Sequence, residues 1–351
     1  MNKISWVNHK TIDHYKIGNN INKCITSRQF TNGGQHVKKL QNKLKQILRL
    51  DDNKEVIMTC NGAMAINALI GCFCKMYNKQ LKFAVQAFTF PCSRQGLLSD
   101  SIIIDIDEHM GPDINILEQL KDQYDGVLIT NCFGCSVNIN LYEQFCRHNN
   151  KILLFDNASS PFTIYQGKNI LNYGDGCIIS LHHTKPIGFG EGGAIIINKK
   201  YKEEIEKIIC FGYSPQDKYN YDIYASNYKM SEISAIYIDQ WLDHFEKIKD
   251  KHKQLIKYFL NIMKDTNIKL FQSYSNYEDQ LMPMIPIISL NKMAMYIFTK
   301  NKIEVKKYYY PLDINCHKSM NLFDKIVCLP LHMDMKLSDL DRYKKIIVKY
   351  F

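Results

Sequence analysis

Short apolar runs rich in Ile, Val and Leu recur along the chain at 56–59 (VIMT), 83–87 (FAVQA), 102–106 (IIIDI), 126–130 (GVLIT), 152–155 (ILLF), 177–181 (CIISL) and 194–198 (AIIIN). Most lack a clean polar alternation, so they read as strands buried on both faces. Between them lie stretches whose apolar positions recur at helical spacing, at 36–49, 63–77, 113–122 and 140–149. Strand and helix therefore alternate, as in a mostly parallel sheet covered by helices. The last two runs flank a different kind of segment, SLHHTKPIGFGEGG at 180–193. From about 230 the pattern turns into a long helical segment, MSEISAIYIDQWLDHFEKIKDKHKQLIKYFLNIM, with apolar residues three and four apart. The predicted organisation is a large α/β domain over 1–230, then the long helix and a small α+β domain over 231–351.

The 351 residues are 46% hydrophobic, which fits a packed globule rather than a disordered chain. The net charge of +10 raises the question of nucleic acid, but the lysines are interleaved with acids, as in EKIKDKHKQLIK at 246–257. They read as solvated helix faces, able at most to attract an anionic small substrate, and no nucleic-acid partner is expected. The beginning of the chain lacks the apolar stretch of a signal peptide, and no apolar run is long enough to cross a bilayer. Several of the 12 cysteines, such as Cys177 and Cys328, sit in apolar runs where a reduced thiol packs as a small hydrophobe. A cytoplasmic protein without a membrane partner is expected. Cys132 and Cys135 form a Cys-x-x-Cys with no second pair or suitably spaced histidine, so packing at a strand end is preferred to a metal or redox role.

In open α/β sheets ligands bind beyond the carboxyl ends of the strands. That rule selects CNGAMA (60–65), FTFP (88–91), FDNAS (155–159) and SLHHTK (180–185). Gly62 stands at a strand-to-helix transition, where free N–H groups and the helix dipole hold a phosphate, or where a helix is merely capped. Asp156 ends a buried strand, a costly place for a carboxylate unless a cation compensates it; capping the next segment is the other reading. Lys185 alone would be a surface lysine. In a glycine-rich turn downstream of a buried aspartate and a phosphate cradle, it is what a pyridoxal phosphate enzyme needs. Tyr308, Tyr309 and Tyr310 either line a sugar site or fill a core, and His332 in LPLH reads as structural.

These stretches occur in a fixed order: TNGG (31–34), NGAMA (61–65), FTFP (88–91), DID (105–107), FDNAS (155–159), SLHHTK with GEGG (180–193), SNYKMSEISA (226–235) and LPLH (329–332). In that order the chain resembles the DegT/StrS-like nucleotide-sugar aminotransferases, which have the aspartate aminotransferase fold, fold type I, with a mostly parallel seven-stranded sheet. The resemblance implies pyridoxal 5'-phosphate as cofactor, passing through pyridoxamine phosphate. Lys185 would then bond the cofactor aldehyde and carry the proton, and Asp156 would pair with the pyridine nitrogen. Phe90 would stack on one face of the ring and Ala158 would touch the other. Gly62, Ala63, Met64 and Ser180 would surround the phosphate, and Asn227 would reach the phosphate of a neighbouring subunit in a homodimer with shared sites. His182, His183 and Tyr309 would face the substrate. Ala63 stands where the family usually has threonine, Ser159 where a longer polar residue approaches the cofactor's phenolic oxygen, and Lys229 where arginine is usual. A subgroup carries histidine in place of the reactive lysine and dehydrates sugars; lysine at 185 favours transamination. The implied reaction moves an amino group from glutamate to a nucleotide-linked keto-deoxysugar, a 4-keto-6-deoxyhexose, for glycan biosynthesis. A non-catalytic regulatory or binding protein that kept the fold is the competing reading, against which the intact Lys185 and Asp156 speak.

Overall fold

All seven apolar runs lie in one sheet. The computed structural model describes residues 2–213, 219–264, 266, 268–270 and 280–351. Its strands are β1 (Lys54–Thr59), β2 (Phe83–Gln86), β3 (Ile102–Ile104), β4 (Gly126–Thr130), β5 (Ile152–Asp156), a small hairpin of β6 (Ile164–Tyr165) and β7 (Lys168–Asn169), β8 (Gly176–Ser180), β9 (Gly193–Asn198), β10 (Met284–Ile288) and β11 (Ile326–Pro330). The large sheet has the order β1-β9-β8-β5-β4-β2-β3. β9 alone runs against its neighbours β1 and β8, while β8, β5, β4, β2 and β3 pair in parallel. The carboxyl ends of β1, β8, β5, β4 and β2 therefore share one edge.

Helices cover both faces, and each face carries its own apolar cluster. On one side α3 (Gly62–Tyr77) buries Ala65, Ile66, Leu69 and Phe73 against β8 and β9. On the other side α2 (Gln35–Ile47) packs Leu40 and Leu44 with α7 (Glu232–Leu242). α2 starts where the fully buried Glu232 carboxylate accepts the N–H groups of Gly34 (2.8 Å) and His36 (2.7 Å), negative charge meeting the positive helix end. α4 (Ile114–Gln119), α5 (Ile139–His148) and α6 (Lys202–Ile208) complete the connections. α1 (His14–Ser27), capped by Asp13, falls outside the helical stretches read from the pattern; it is mostly polar and buries only Ile17 and Cys24.

The single long helix expected after 230 is two helices, α7 and α8 (Phe245–Met263), divided by a turn at Asp243–His244. α7 is buried around most of its circumference, whereas α8 has one apolar face. Along α8 the packing changes: Phe245 and Ile248 join the large-sheet core, while Leu255, Ile256, Phe259 and Met263 join a second core. That second core holds the β10–β11 ladder, α9 (Ala294–Lys300), α10 (His317–Lys325) and α11 (Leu337–Tyr350). Among the described residues no helix is long and apolar enough to cross a membrane.

Candidate active site

The strand ends open on a cavity of about 490 Å³. One wall is the start of α3. The Asn61 side chain accepts the Met64 N–H (2.9 Å), and the Asn61 carbonyl takes the N–H of Ala65 (3.0 Å). Among the described residues no hydrogen bond holds the N–H groups of Gly62 and Ala63, both of which line the cavity. Ser180, the last residue of β8, lies against them: a Cβ on Gly62 would sit 3.2 Å from the Ser180 Cβ. Gly193 lets β9 approach as closely, because a Cβ there would lie 2.4 Å from the Asn61 backbone carbon. The result is an anion cradle at the N-terminus of a 16-residue helix.

Asp156 ends β5 and is 2% exposed. One carboxylate oxygen accepts the Ala158 N–H (2.9 Å), and the other has no hydrogen bond among the described residues. Burial pushes this carboxyl up, opposed by the Ala158 N–H and by the charge of Lys185. Lys185 stands in the turn that joins β8 to β9. Its N–H donates to the His182 carbonyl (2.8 Å) and its own carbonyl accepts from Gly188 (3.1 Å). Lys185 is half-buried and lines the cavity; burial pulls its amine down, and Asp156 pulls it back up. Each group is driven toward neutrality by burial and toward charge by the other.

The predicted residues Gly62, Ala63, Phe90, Asp156, Ala158, Ser159, Ser180, His182, Lys185 and Tyr309 all line this one cavity. Ser159 is largely engaged, since its hydroxyl donates to the Asn131 carbonyl (3.2 Å) and accepts the Phe133 N–H (3.2 Å). Tyr309 is buried, with its ring stacked on Phe133 at 5.3 Å. The Nε2 of His182 lies 3.6 Å from Glu191. Three predicted residues do not line the cavity within the single chain. Met64 contributes its backbone to the capped turn. His183 packs edge-on against Phe189 and accepts the Gly190 N–H at 3.3 Å. Asn227 is exposed and accepts a hydrogen bond from Lys229 (2.7 Å). Cys132 and Cys135 are buried and unbridged.

Other wall residues escaped the strand-end rule. Trp6 comes from the N-terminal segment, Met284 from the second core and Glu191 from the far side of the lysine turn. No sequence signal marks Trp6 or Met284, because they reach the cavity only through tertiary packing.

The donor set suits pyridoxal phosphate. Two open backbone N–H groups and a serine suit its phosphate, a buried carboxylate with a spare oxygen suits a protonated ring nitrogen, and an amine lies in the same cavity.

Comparison with known proteins agrees. By sequence, the chain is 24% identical over 341 residues to the dTDP-4-amino-4,6-dideoxy-D-glucose transaminase of Shigella dysenteriae, covering 90% of each chain. It is 20% identical over 317 residues to the GDP-perosamine synthase of Vibrio cholerae, covering 83% of this chain and 81% of that one. Its structure matches a PLP-dependent aminotransferase of Bacillus cereus with a TM-score of 0.85 at 19% identity, covering 99% of this chain and 100% of that one, so the fold is that of the fold type I aminotransferases. The family model for DegT/DnrJ/EryC1/StrS aminotransferases spans residues 12–347, and on that match the chain belongs to the DegT/DnrJ/EryC1/StrS aminotransferase family.

Proposed function

We propose that this pyridoxal-phosphate-dependent aminotransferase moves an amino group from glutamate to a nucleotide-linked keto-deoxysugar, a 4-keto-6-deoxyhexose, in the making of amino sugars for glycans. The observation that carries the reading is the presence of Lys185, Asp156 and the open start of α3 around one cavity. When bound, pyridoxal phosphate supplies an electron-accepting ring and an aldehyde to which an amine can join. Gly62, Ala63 and Ser180 would hold its phosphate, and Asp156 would keep the ring nitrogen charged. A buried lysine whose amine is pulled down can be neutral at working pH, and so can accept a proton at Nζ and return it. Phe90 would stack on the cofactor ring, and Trp6 and Tyr308 supply further flat aromatic surface around the cavity, which suits a sugar ring. The sugar transaminase and perosamine synthase resemblances support a nucleotide-linked acceptor. The reading includes a homodimer in which Asn227 of each chain serves the other chain's site.

The test is a panel of 3-keto and 4-keto sugar nucleotides offered to the cofactor-loaded protein with glutamate. Formation of 2-oxoglutarate with a 4-amino sugar nucleotide is the expected result. Amination at C3 would overturn the regiochemistry, and no transfer to any member of the panel would overturn the sugar acceptor.

A further inference from the structure

The ammonium of Lys10 is an unusual feature of the large domain's surface, because it is inside. Lys10 is 7% exposed, and its Nζ donates to the carbonyls of His183 (2.7 Å), Lys185 (2.8 Å) and Gly188. The face of Trp241 covers it, 5.1 Å from ammonium to ring centroid, and the Trp241 indole N–H donates to the Pro186 carbonyl (2.8 Å). Two side chains thus take four carbonyls of the six-residue stretch 183–188. An ammonium has three donors and no acceptor, so three converging carbonyls match it in number as well as in charge. Without it, carbonyl oxygens turned toward one buried point would repel each other, and the Lys185 carbonyl would keep only the Gly188 N–H. Burial pulls Lys10 down to about 7, whereas hydrogen bonds to three carbonyls favour the charged form.

One of those carbonyls belongs to Lys185 itself. The amine that reaches into the cavity is four methylenes from a backbone unit pinned from the other side. The segment bearing Lys10 is in turn fastened to the second core. Ile4 exchanges backbone bonds with Lys302 and Glu304 (2.9 Å each), the Trp6 N–H donates to Glu304 (2.6 Å), and the His9 N–H donates to Asp334 (2.6 Å). Trp6, between these anchors, lines the cavity. The family match begins at residue 12, so this strap lies outside the matched range.

From this arrangement we infer that the N-terminal strap is a working part of the active site, with Lys10 the positioning residue that sets the Lys185 turn and Trp241 its second hold. The inference rests on Lys185 being the reactive lysine of the proposed function, and the test separates the two. First, the cofactor-loaded wild type is reduced with borohydride and mapped: the fixed cofactor belongs on Lys185, and a label on any other lysine overturns both readings. Then Lys10→Met, one atom shorter and without the charge and donors, is compared with wild type as cofactor-loaded protein. The expected variant is folded by circular dichroism and binds cofactor. The pH midpoint of its lysine-bound cofactor absorbance moves, hydrogen exchange at 183–190 rises, and kcat with glutamate falls about 100-fold with KM changed far less, the penalty of a small misplacement. A folded Lys10→Met protein labelled on Lys185, with the absorbance midpoint, exchange and kcat of wild type, would overturn the clamp and leave the aminotransferase reading standing. Should Lys10→Met not fold, Trp241→Phe carries the test, since it deletes the Pro186 bond and keeps a smaller aromatic ring beside Lys10. Its kcat should fall about tenfold with the midpoint moved the same way, and no movement in either would overturn the inference.

Discussion

Lys185 and Asp156 face the same difficulty from opposite sides: burial pulls the amine down and pushes the carboxyl up, and each group restores part of the other's charge. A site so built is tuned for proton movement rather than for stability. Lys185→Ala should therefore abolish turnover in a folded protein, and Asp156→Asn should retain cofactor while slowing the glutamate half-reaction at least about 100-fold, both readable by single-turnover spectroscopy. An unchanged half-reaction in Asp156→Asn would remove the aspartate from its assigned role. His252 presents the same physics without the chemistry. It is fully enclosed on α8, its Nδ1 lies 3.0 Å from the Met282 carbonyl, and burial lowers its pKa from 6.5 to about 4. A lowered folded-state pKa means that its contribution to stability is complete above 6.5 and is lost as pH falls toward about 4. At about 1.4 kcal/mol for each pH unit between those values, the loss comes to about 3 kcal/mol. Denaturant titrations from pH 7 to pH 4 should show wild type losing that much more than His252→Gln, whose amide can still donate to Met282; parallel curves would refute the assignment.

Elements differ in how plainly the sequence announces them, and the difference follows burial. β4, β5, β8 and β9 are almost wholly enclosed, so each appears as an unbroken apolar run. α1 is held by a small cluster around Ile17, Cys24 and Ile236, too few contacts to leave a pattern. The α7–α8 turn at Asp243–His244 has neither Gly nor Pro, so no local signal marks it. The same division applies to the site: Asp156, Ser180 and Lys185 follow strand ends and were legible as chemistry, whereas Trp6, Lys10 and Met284 arrive from elements that tertiary packing alone brings near. Gly193 shows how one element fixes another. Because its absent Cβ is what lets β9 lie against Asn61, Gly193→Ala must move the start of α3. The expected cost is about 1 to 3 kcal/mol of stability, as for overpacking, together with weaker cofactor binding. Gly167→Ala is the control: its φ of +79° makes it strained too, but it has open space around it and lies outside the cavity wall. Equal cofactor affinity in both variants would show that β9 does not shape the cradle.

At the scale of the whole molecule, residues 211–213 and 219–229 leave apolar surface uncovered beside the cradle. Phe211 is 41%, Tyr221 75% and Ile223 77% exposed, and Lys229 lies over the Phe211 ring at 4.9 Å while donating to Asn227. The Tyr228 carbonyl accepts the Cys60 N–H (2.8 Å), so this surface adjoins the end of β1 where the cradle begins. Exposed aromatic surface next to a ligand site is what a second copy of the chain would cover, and the proposed two-fold dimer would bring each copy's Asn227 to the other's cavity. Mixing two damaged chains tests this. In a hybrid of Lys185→Ala with Asn227→Ala, one site collects both defects; the other takes Lys185 from the second chain and Asn227 from the first, and is whole. Hybrid dimers separated by a charge tag should then show about half of wild-type activity, well above either parent dimer. If both residues serve a site within one chain, every site keeps a defect and the hybrid shows only the average of its parents. The average would rule out the shared site, and sedimentation of the wild type as a monomer at working concentration would rule out the dimer.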